Sequence, residues 1–191
     1  MDYLLNVRQK LFSVNVPAVK KARGRTPLHY SCRNGGLEAA QWLVSSKAQV
    51  DPRAKHGVTP FQLAVWQNQV LICQWLVEEM GVNPFQVNDF DCGAVHWLGI
   101  CPLERANYNA IHNNNDEEED GRDLLPSAKW LAQQAGIDFC MKQRQGHTPL
   151  HKAAWGGHLA LLRYLHSEHG LWDDCQDDAG NFAADLADMA P

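Results

Sequence analysis

The heptapeptide Thr148–Ala154, TPLHKAA, has related copies along the chain at a nearly constant interval that is exceeded once. Clear copies are Thr26–His29 (TPLH) and Thr59–Gln62 (TPFQ), and Gly93–His96 (GAVH) is a degenerate copy. The copies end at residues 29, 62, 96 and 151, so their separations are 33, 34 and 55 residues. A period of 33 to 34 residues predicts a stack of short supersecondary units. In such a stack an interaction surface is more to be expected than an active site.

Each copy begins with residue types that start a short helix. Threonine is a favourable N-cap, and the proline after it needs no hydrogen-bond partner in the first helical turn. In the last copy the small pair Ala153–Ala154 follows, and then a turn at Gly157–His158. Leu159, Leu162 and Leu165 come next at helical spacing. The sequence therefore predicts two short helices in each unit.

One aromatic residue falls at the same place in every predicted second helix. These residues are Trp42, Trp75, Trp130 and Tyr164. Because their spacing follows the repeat, we expect them to fill the seams between stacked helix pairs rather than to hold a cofactor.

This pattern resembles the ankyrin repeat, whose signature is a turn, the motif Thr-Pro-Leu-His-x-Ala and two antiparallel helices. The strongest match is His147–Gly170. Gln62 departs from the usual histidine, and Gly93–Ala94 departs from Thr-Pro. The resemblance implies an all-α solenoid of stacked helix-turn-helix units with hairpin-like connecting loops. It also implies a structural role, joining adjacent hairpins, for His29, His96 and His151.

The period also predicts how the chain is organised. Residues 1–23 are expected to form an N-terminal capping helix and linker, and residues 24–190 the repeat domain. The units are predicted at about 24–56, 57–90, 91–145 and 146–179, with a terminal partial repeat at 180–190. Terminal units of such stacks are often atypical because one of their faces meets water.

The third predicted unit exceeds the period and must contain an insertion, at about residues 102–125. The insertion includes the acidic run Asp116–Asp120. A polar segment with like charges and no aliphatic residues is typical of a surface loop. We favour a tolerated loop over a dedicated site, either for a basic partner or for calcium, since the ligand spacing of the EF-hand is missing.

The composition excludes several classes of protein. The formal net charge is −5, and the run Asp116–Asp120 accounts for all of it. A basic footprint for nucleic acid is missing apart from a small cluster at residues 20–25, so we expect no nucleic-acid partner. No apolar run approaches the ~20 residues of a membrane span, and the start does not have the order of a secretory signal. Six scattered cysteines suit reduced thiols, which predicts a cytoplasmic or nuclear protein.

The sequence offers little chemistry for a reaction. Neither glycine pattern for binding phosphates is present, and we predict no cofactor. His166 and His169 could share a metal ion, but no third ligand is spaced convincingly nearby. Cys92 and His96 could form a nucleophile pair, yet nothing marks a base or an oxyanion donor. We therefore predict a protein that is not an enzyme and has no metal site. The alternative is a fragment or regulatory part of a larger enzyme or metal-binding protein, whose active element the repeats position.

The resemblance places partner contacts on the concave face, at the hairpin tips and near the end of each first helix. The corresponding residues are Arg33, Asn34, Lys55, His56, Trp66, Gln67, Phe90, Arg144, Gln145, His147 and Trp155. Trp66 and Trp155 are either anchors for a partner or pack on the helix of a neighbouring unit. The prediction is a monomeric scaffold or adaptor that binds another protein or peptide. Aromatic residues among cations favour a peptide with apolar anchors and some acidic character.

Overall fold

A computed structural model of the chain describes residues 14, 15, 23–101, 123–134 and 136–190. This part is helical and contains no β-strand, so the prediction of an all-α fold is confirmed. Its nine α-helices are α1 Pro27–Arg33, α2 Leu37–Ser45, α3 Pro60–Trp66, α4 Val70–Gln74, α5 Ala94–Gly99, α6 Leu125–Ala132, α7 Pro149–Gly156, α8 Leu159–His169 and α9 Ala183–Asp188. Helix α4 continues as a π-helical turn over Trp75–Glu79. None of the described helices is long and apolar enough to cross a membrane.

The helices form two layers. Helices α1, α3, α5, α7 and α9 make the first layer, in which each helix packs on the next. Helices α2, α4, α6 and α8 make the second layer, and each packs on a first-layer helix of its own unit. Small residues allow the first layer to be tight: a Cβ atom at Gly99 would lie 2.8 Å from the backbone nitrogen of Ala153. The buried apolar side chains therefore form one continuous core along the stack.

One histidine in each of three units joins the start of its own helix to the next unit. Nδ1 of His96 accepts a hydrogen bond from the backbone N–H of Gly93 at 3.3 Å, and Nε2 lies 3.1 Å from the carbonyl oxygen of His147. Because an amide N–H can only donate, Nδ1 must be unprotonated, and Nε2 carries the hydrogen that it donates. His29 and His151 make the same pair of contacts.

Gln62 makes the same bridge without an ionisable ring. Its side-chain oxygen accepts from the backbone N–H of Thr59 at 3.2 Å, and its side-chain nitrogen donates to the carbonyl oxygen of Cys92, in the next unit, at 3.4 Å and to that of Gln86 at 3.2 Å. A primary amide has both a donor and an acceptor, so it can replace the neutral imidazole. The departure from histidine in the second unit therefore keeps the connection between units.

Backbone hydrogen bonds connect the hairpin-like tips into a row. The four bonds run from the N–H of one tip to the carbonyl oxygen of the preceding tip: Lys55 to Arg23 at 2.8 Å, Asp89 to His56 at 3.0 Å, Arg144 to Phe90 at 3.0 Å and Asp178 to Gln145 at 3.1 Å. At the tip of the second unit His56 has φ +64° and Gly57 has φ +71°. The left-handed backbone makes a tight turn there and is uncommon for a residue other than glycine.

The expectation that four aromatic residues fill the seams is wrong for Trp42. Trp75 and Trp130 are 5% and 7% exposed, whereas Trp42 is 64% exposed. The side chains that α2 buries belong to Ala40 and Leu43, and Trp42 precedes Leu43 by one residue, so it lies about 100° away around the helix. The predicted N-terminal capping helix and most of the predicted insertion lie outside the described residues.

The burial of His29 and His96 predicts that the fold is less stable in acid. Burial lowers the pKa of His96 from 6.5 to about 4 and lowers the pKa of His29. Between these two values of the His96 pKa the unfolded chain binds a proton that the folded chain does not. The free energy of unfolding therefore falls as the pH is lowered through this window. Above about pH 6.5 the full stability is present.

We expect His96→Gln to copy the bridge of Gln62 and to remove this dependence. Urea unfolding at pH 7 and at pH 4 should show that the variant loses about 2–3 kcal/mol less stability on acidification than the parent. Gln62 shows that an amide without an ionisable group can make the bridge in this chain. Parallel stability curves for the two proteins would contradict the lowered pKa of His96.

Candidate partner-binding groove

A groove of about 430 Å³ lies between the hairpin-like tips and the first layer of helices. Lys55, Phe90 and Gln145, from three consecutive tips, form one side of it. Trp97 and Ile100, at α5, and Lys152 of α7 form the other side. No single unit contains these residues, so the groove exists only because neighbouring units stack.

The floor of the groove is apolar. Trp97 and Ile100 are half-buried, and Phe90 is 43% exposed with its ring 5.2 Å from the ring of His56. The ring of Trp66 packs edge-on against Trp97, with the ring centroids 6.3 Å apart. Within the described residues the indole N–H of Trp97 has no hydrogen-bond partner. This floor can accept an apolar side chain, because aromatic rings bury a large area and lose little conformational entropy.

The lining of the groove is positively charged. It includes the side chains of Arg23, Arg25, Lys55 and Lys152, and none of the described carboxylates lines it. In the described part of the chain none of these four cations has a carboxylate partner within 4.0 Å. Cations that line one cleft raise its potential together and attract anionic groups.

The carboxylates near the tips have partners of their own. Asp89 lies 3.9 Å from Arg53, and Asp91 lies 3.4 Å from Arg144. Both pairs are largely exposed, so their contribution to stability is small. Neither Arg53 nor Arg144 lines the groove, which leaves its own cations without this compensation.

Lys152 belongs to a polar cluster at the base of the groove. Nδ1 of His147 accepts from Nζ of Lys152 at 3.0 Å and from the side-chain nitrogen of Gln143 at 2.8 Å, and Nε2 of His147 donates to Asp177 at 3.0 Å. Burial and the charge of Lys152 lower the pKa of His147, and burial lowers the pKa of Lys152. Hydrogen bonds, above all from the backbone N–H of Asn181, hold the pKa of Asp177 at about 2. His147 is therefore neutral at pH 7, and Asp177 is ionised.

The structure brings four of the eleven predicted contact residues together in the groove: Lys55, His56, Phe90 and Gln145. The side chains of the other seven do not line it: Arg33, Asn34, Trp66, Gln67, Arg144, His147 and Trp155. Arg144 pairs with an aspartate at the neighbouring tip, and His147 contacts Lys152 from below. Trp155 is 44% exposed elsewhere on the surface.

Sequence reasoning missed Trp97 and Lys152 as lining residues. Each directly follows the bridging histidine of its unit, which the ankyrin signature leaves variable. Residues three apart on a helix share a face, so Trp97 lies beside Ile100. The sequence could therefore have indicated Trp97 and Lys152, because the residue after the histidine is variable and lies between two positions of the ankyrin signature.

Trp66 packs on the neighbouring unit, which is the second of the two alternatives expected for it. Its indole N–H donates to the carbonyl oxygen of Ile100 at 2.9 Å. The guanidinium of Arg33 lies 5.3 Å from the centroid of the Trp66 ring, at a distance typical of a cation–π contact. Trp66 therefore supports the floor of the groove from behind, through Ile100 and Trp97.

The residues considered for metal or nucleophile chemistry are separated or buried. Within the described residues no three His, Cys, Asp or Glu side chains form a group that could hold a metal ion. His166 packs its ring on Trp172, and His169 packs on Phe139. Burial raises the pKa of the Cys92 thiol, which keeps the thiol protonated at pH 7.

Comparisons with known proteins agree with this architecture. Residues 2–88 match a family model described as ankyrin repeats (3 copies), and residues 122–166 match one described as ankyrin repeats (many copies). A curated human protein, transient receptor potential cation channel subfamily A member 1, is 26% identical over 142 residues. The match covers 74% of this chain and 11% of the human protein, so the chain spans about a tenth of the length of that relative.

The two candidate tryptophans should differ in their effect on stability. We expect Trp66→Ala to lower the free energy of unfolding by about 2 kcal/mol, because it removes a contact between units and a hydrogen bond. Trp155→Ala, at an exposed position, should cost less than about 1 kcal/mol. Urea unfolding of the two variants at pH 7 measures both values, and equal losses would show that Trp66 does not support the stack.

Proposed function

The chain belongs to the ankyrin-repeat family, and we propose that it is a non-catalytic scaffold that binds a segment of another protein in the groove. Ankyrin repeats are generally modules for protein–protein interaction. One observation carries the proposal for this chain: an apolar floor meets four cations, none paired with a carboxylate among the described residues, in one cleft that four units build together.

A stacked scaffold suits this task because its binding surface exists before the partner arrives. The bridges between units and the row of tip hydrogen bonds hold the two sides of the groove at a constant separation. Little conformational entropy is then lost on binding, and a few aromatic anchors can set the affinity. We propose that the chain acts as a monomer.

We further propose that the protein works in the cytoplasm or the nucleus. Cys32 and Cys73 are buried as thiols and do not form disulfides. Free thiols persist in compartments that glutathione and thioredoxin keep reducing.

Phe90→Ala tests the groove, and Phe85→Ala is its matched control. The two phenylalanines are 43% and 44% exposed and five positions apart, but only Phe90 lines the groove. We expect Phe90→Ala to capture at least about tenfold less of each partner than the parent does, because a hot-spot anchor is removed. Phe85→Ala should retain them.

The measurement is affinity capture from cell extract with quantitative mass spectrometry, after circular dichroism has shown that both variants are folded. Partners that both variants retain, or that both lose, would refute binding in this groove.

A further inference from the structure

Lys152 carries a charge that the described part of the protein leaves without a carboxylate partner. Its side chain lines the groove, and its ammonium contacts Nδ1 of His147 at 3.0 Å. An ammonium group has three hydrogens and can only donate, so His147 accepts one of them. The neutral imidazole orients Lys152 but does not neutralise it.

A buried carboxylate, that of Asp177, fixes the imidazole that orients Lys152. Nε2 of His147 donates to Asp177, whose side chain is 2% exposed. Asp177 also accepts hydrogen bonds from the backbone N–H groups of Ala179 and Asn181, both at 2.9 Å. Asp177, His147 and Lys152 thus form a chain of hydrogen bonds that ends at the groove. A fixed donor loses little rotamer entropy when it binds an anion.

The surroundings favour an anionic group over any other. Arg23, Arg25 and Lys55 line the same groove, and within residues 23–101, 123–134 and 136–190 no carboxylate lines it. The half-buried position of Lys152 strengthens an ion pair there relative to one on the open surface. The apolar residues Phe90 and Trp97 lie in the same lining.

We propose that the partner segment is acidic, and that Nζ of Lys152 binds one of its carboxylates while Phe90 and Trp97 contact a neighbouring apolar side chain. This inference rests on the proposed binding function and specifies the chemistry of the partner. His147 and Asp177 act as positioning residues, because they hold the ammonium and do not themselves line the groove.

A random library of displayed twelve-residue peptides tests the chemistry without a known partner. The full chain is the bait, and Lys152→Met and Lys142→Met are compared with it; Lys142 is exposed and does not line the groove. We expect the parent and Lys142→Met to enrich peptides that have several carboxylates and one bulky apolar residue. Lys152→Met should lose this enrichment. Neutral or basic enriched peptides, or none at all, would overturn the proposal.

The ion pair between Lys152 and a peptide carboxylate is then tested directly. Binding is measured for the most enriched peptide and for analogues in which each carboxylate in turn is replaced by its amide. Fluorescence anisotropy should show that one replacement weakens binding to the parent by about tenfold or more. The same replacement should have little further effect on Lys152→Met, because the ion pair is already absent. Lys152→Gln serves as a second variant if Lys152→Met does not fold. If the amide replacement weakens binding to Lys152→Met as much as it weakens binding to the parent, the assignment of the ion pair to Lys152 is overturned.

His147→Ala distinguishes positioning from a general structural effect. We expect it to weaken binding of the acidic peptide at least about threefold more than binding of the amide analogue, because only the carboxylate uses the oriented ammonium. Equal weakening of both peptides would show that His147 merely maintains the fold.

Self-association is the rival outcome. If sedimentation velocity shows a dimer that Lys152→Met dissociates, the occupant of the groove is a second copy of the chain, and the proposal fails. The comparison of Phe90→Ala with Phe85→Ala tests the binding function separately. If only Phe90→Ala loses partners while the library yields neutral peptides, the chain binds a partner in the groove but that partner is not acidic.

Discussion

The imidazole of His96 bonds in two directions, to the amide that begins its own helix and to the carbonyl oxygen of His147 in the next unit. The bridge requires one acceptor and one donor at a set distance, which a neutral imidazole or a primary amide can supply. Gln62 meets the same requirement. Repeating the bridge fixes where each tip stands relative to the preceding helix, and the groove depends on that spacing.

The stack has a consequence for the long third unit. Each first-layer helix contacts its immediate neighbours, and α5 packs on α7 although the sequence between them is longer than one period. Gly99 and Gly156 allow this approach, because a Cβ at either residue would collide with the facing helix. Extra residues between α5 and α6 leave these contacts in place, since stability in such a stack is largely a sum over neighbours.

The groove is lined by side chains from several units, and no single repeat contains such a groove. Residues that vary from unit to unit come together on one side, whereas the residues that hold the units together are buried behind them. The chain from Asp177 through His147 to Lys152 links the two sets, because a buried carboxylate fixes a cation in the groove. Rigid support for a few exposed side chains is how such a scaffold acquires specificity.

The period of the motif, its capping residues and its small pairs were enough to predict a stack of short helical units. The resemblance to the ankyrin repeat implied the structural use of His29, His96 and His151, and it placed contacts at the tips, of which Lys55, His56, Phe90 and Gln145 line the groove. Only the tertiary structure decided that Trp66 packs behind the floor, that Trp42 is exposed to solvent and that Lys152 is oriented by His147 with no carboxylate partner in the described part of the chain. The reason is physical: periodicity specifies which face of a helix a residue occupies, but the neighbouring unit determines whether that face is covered.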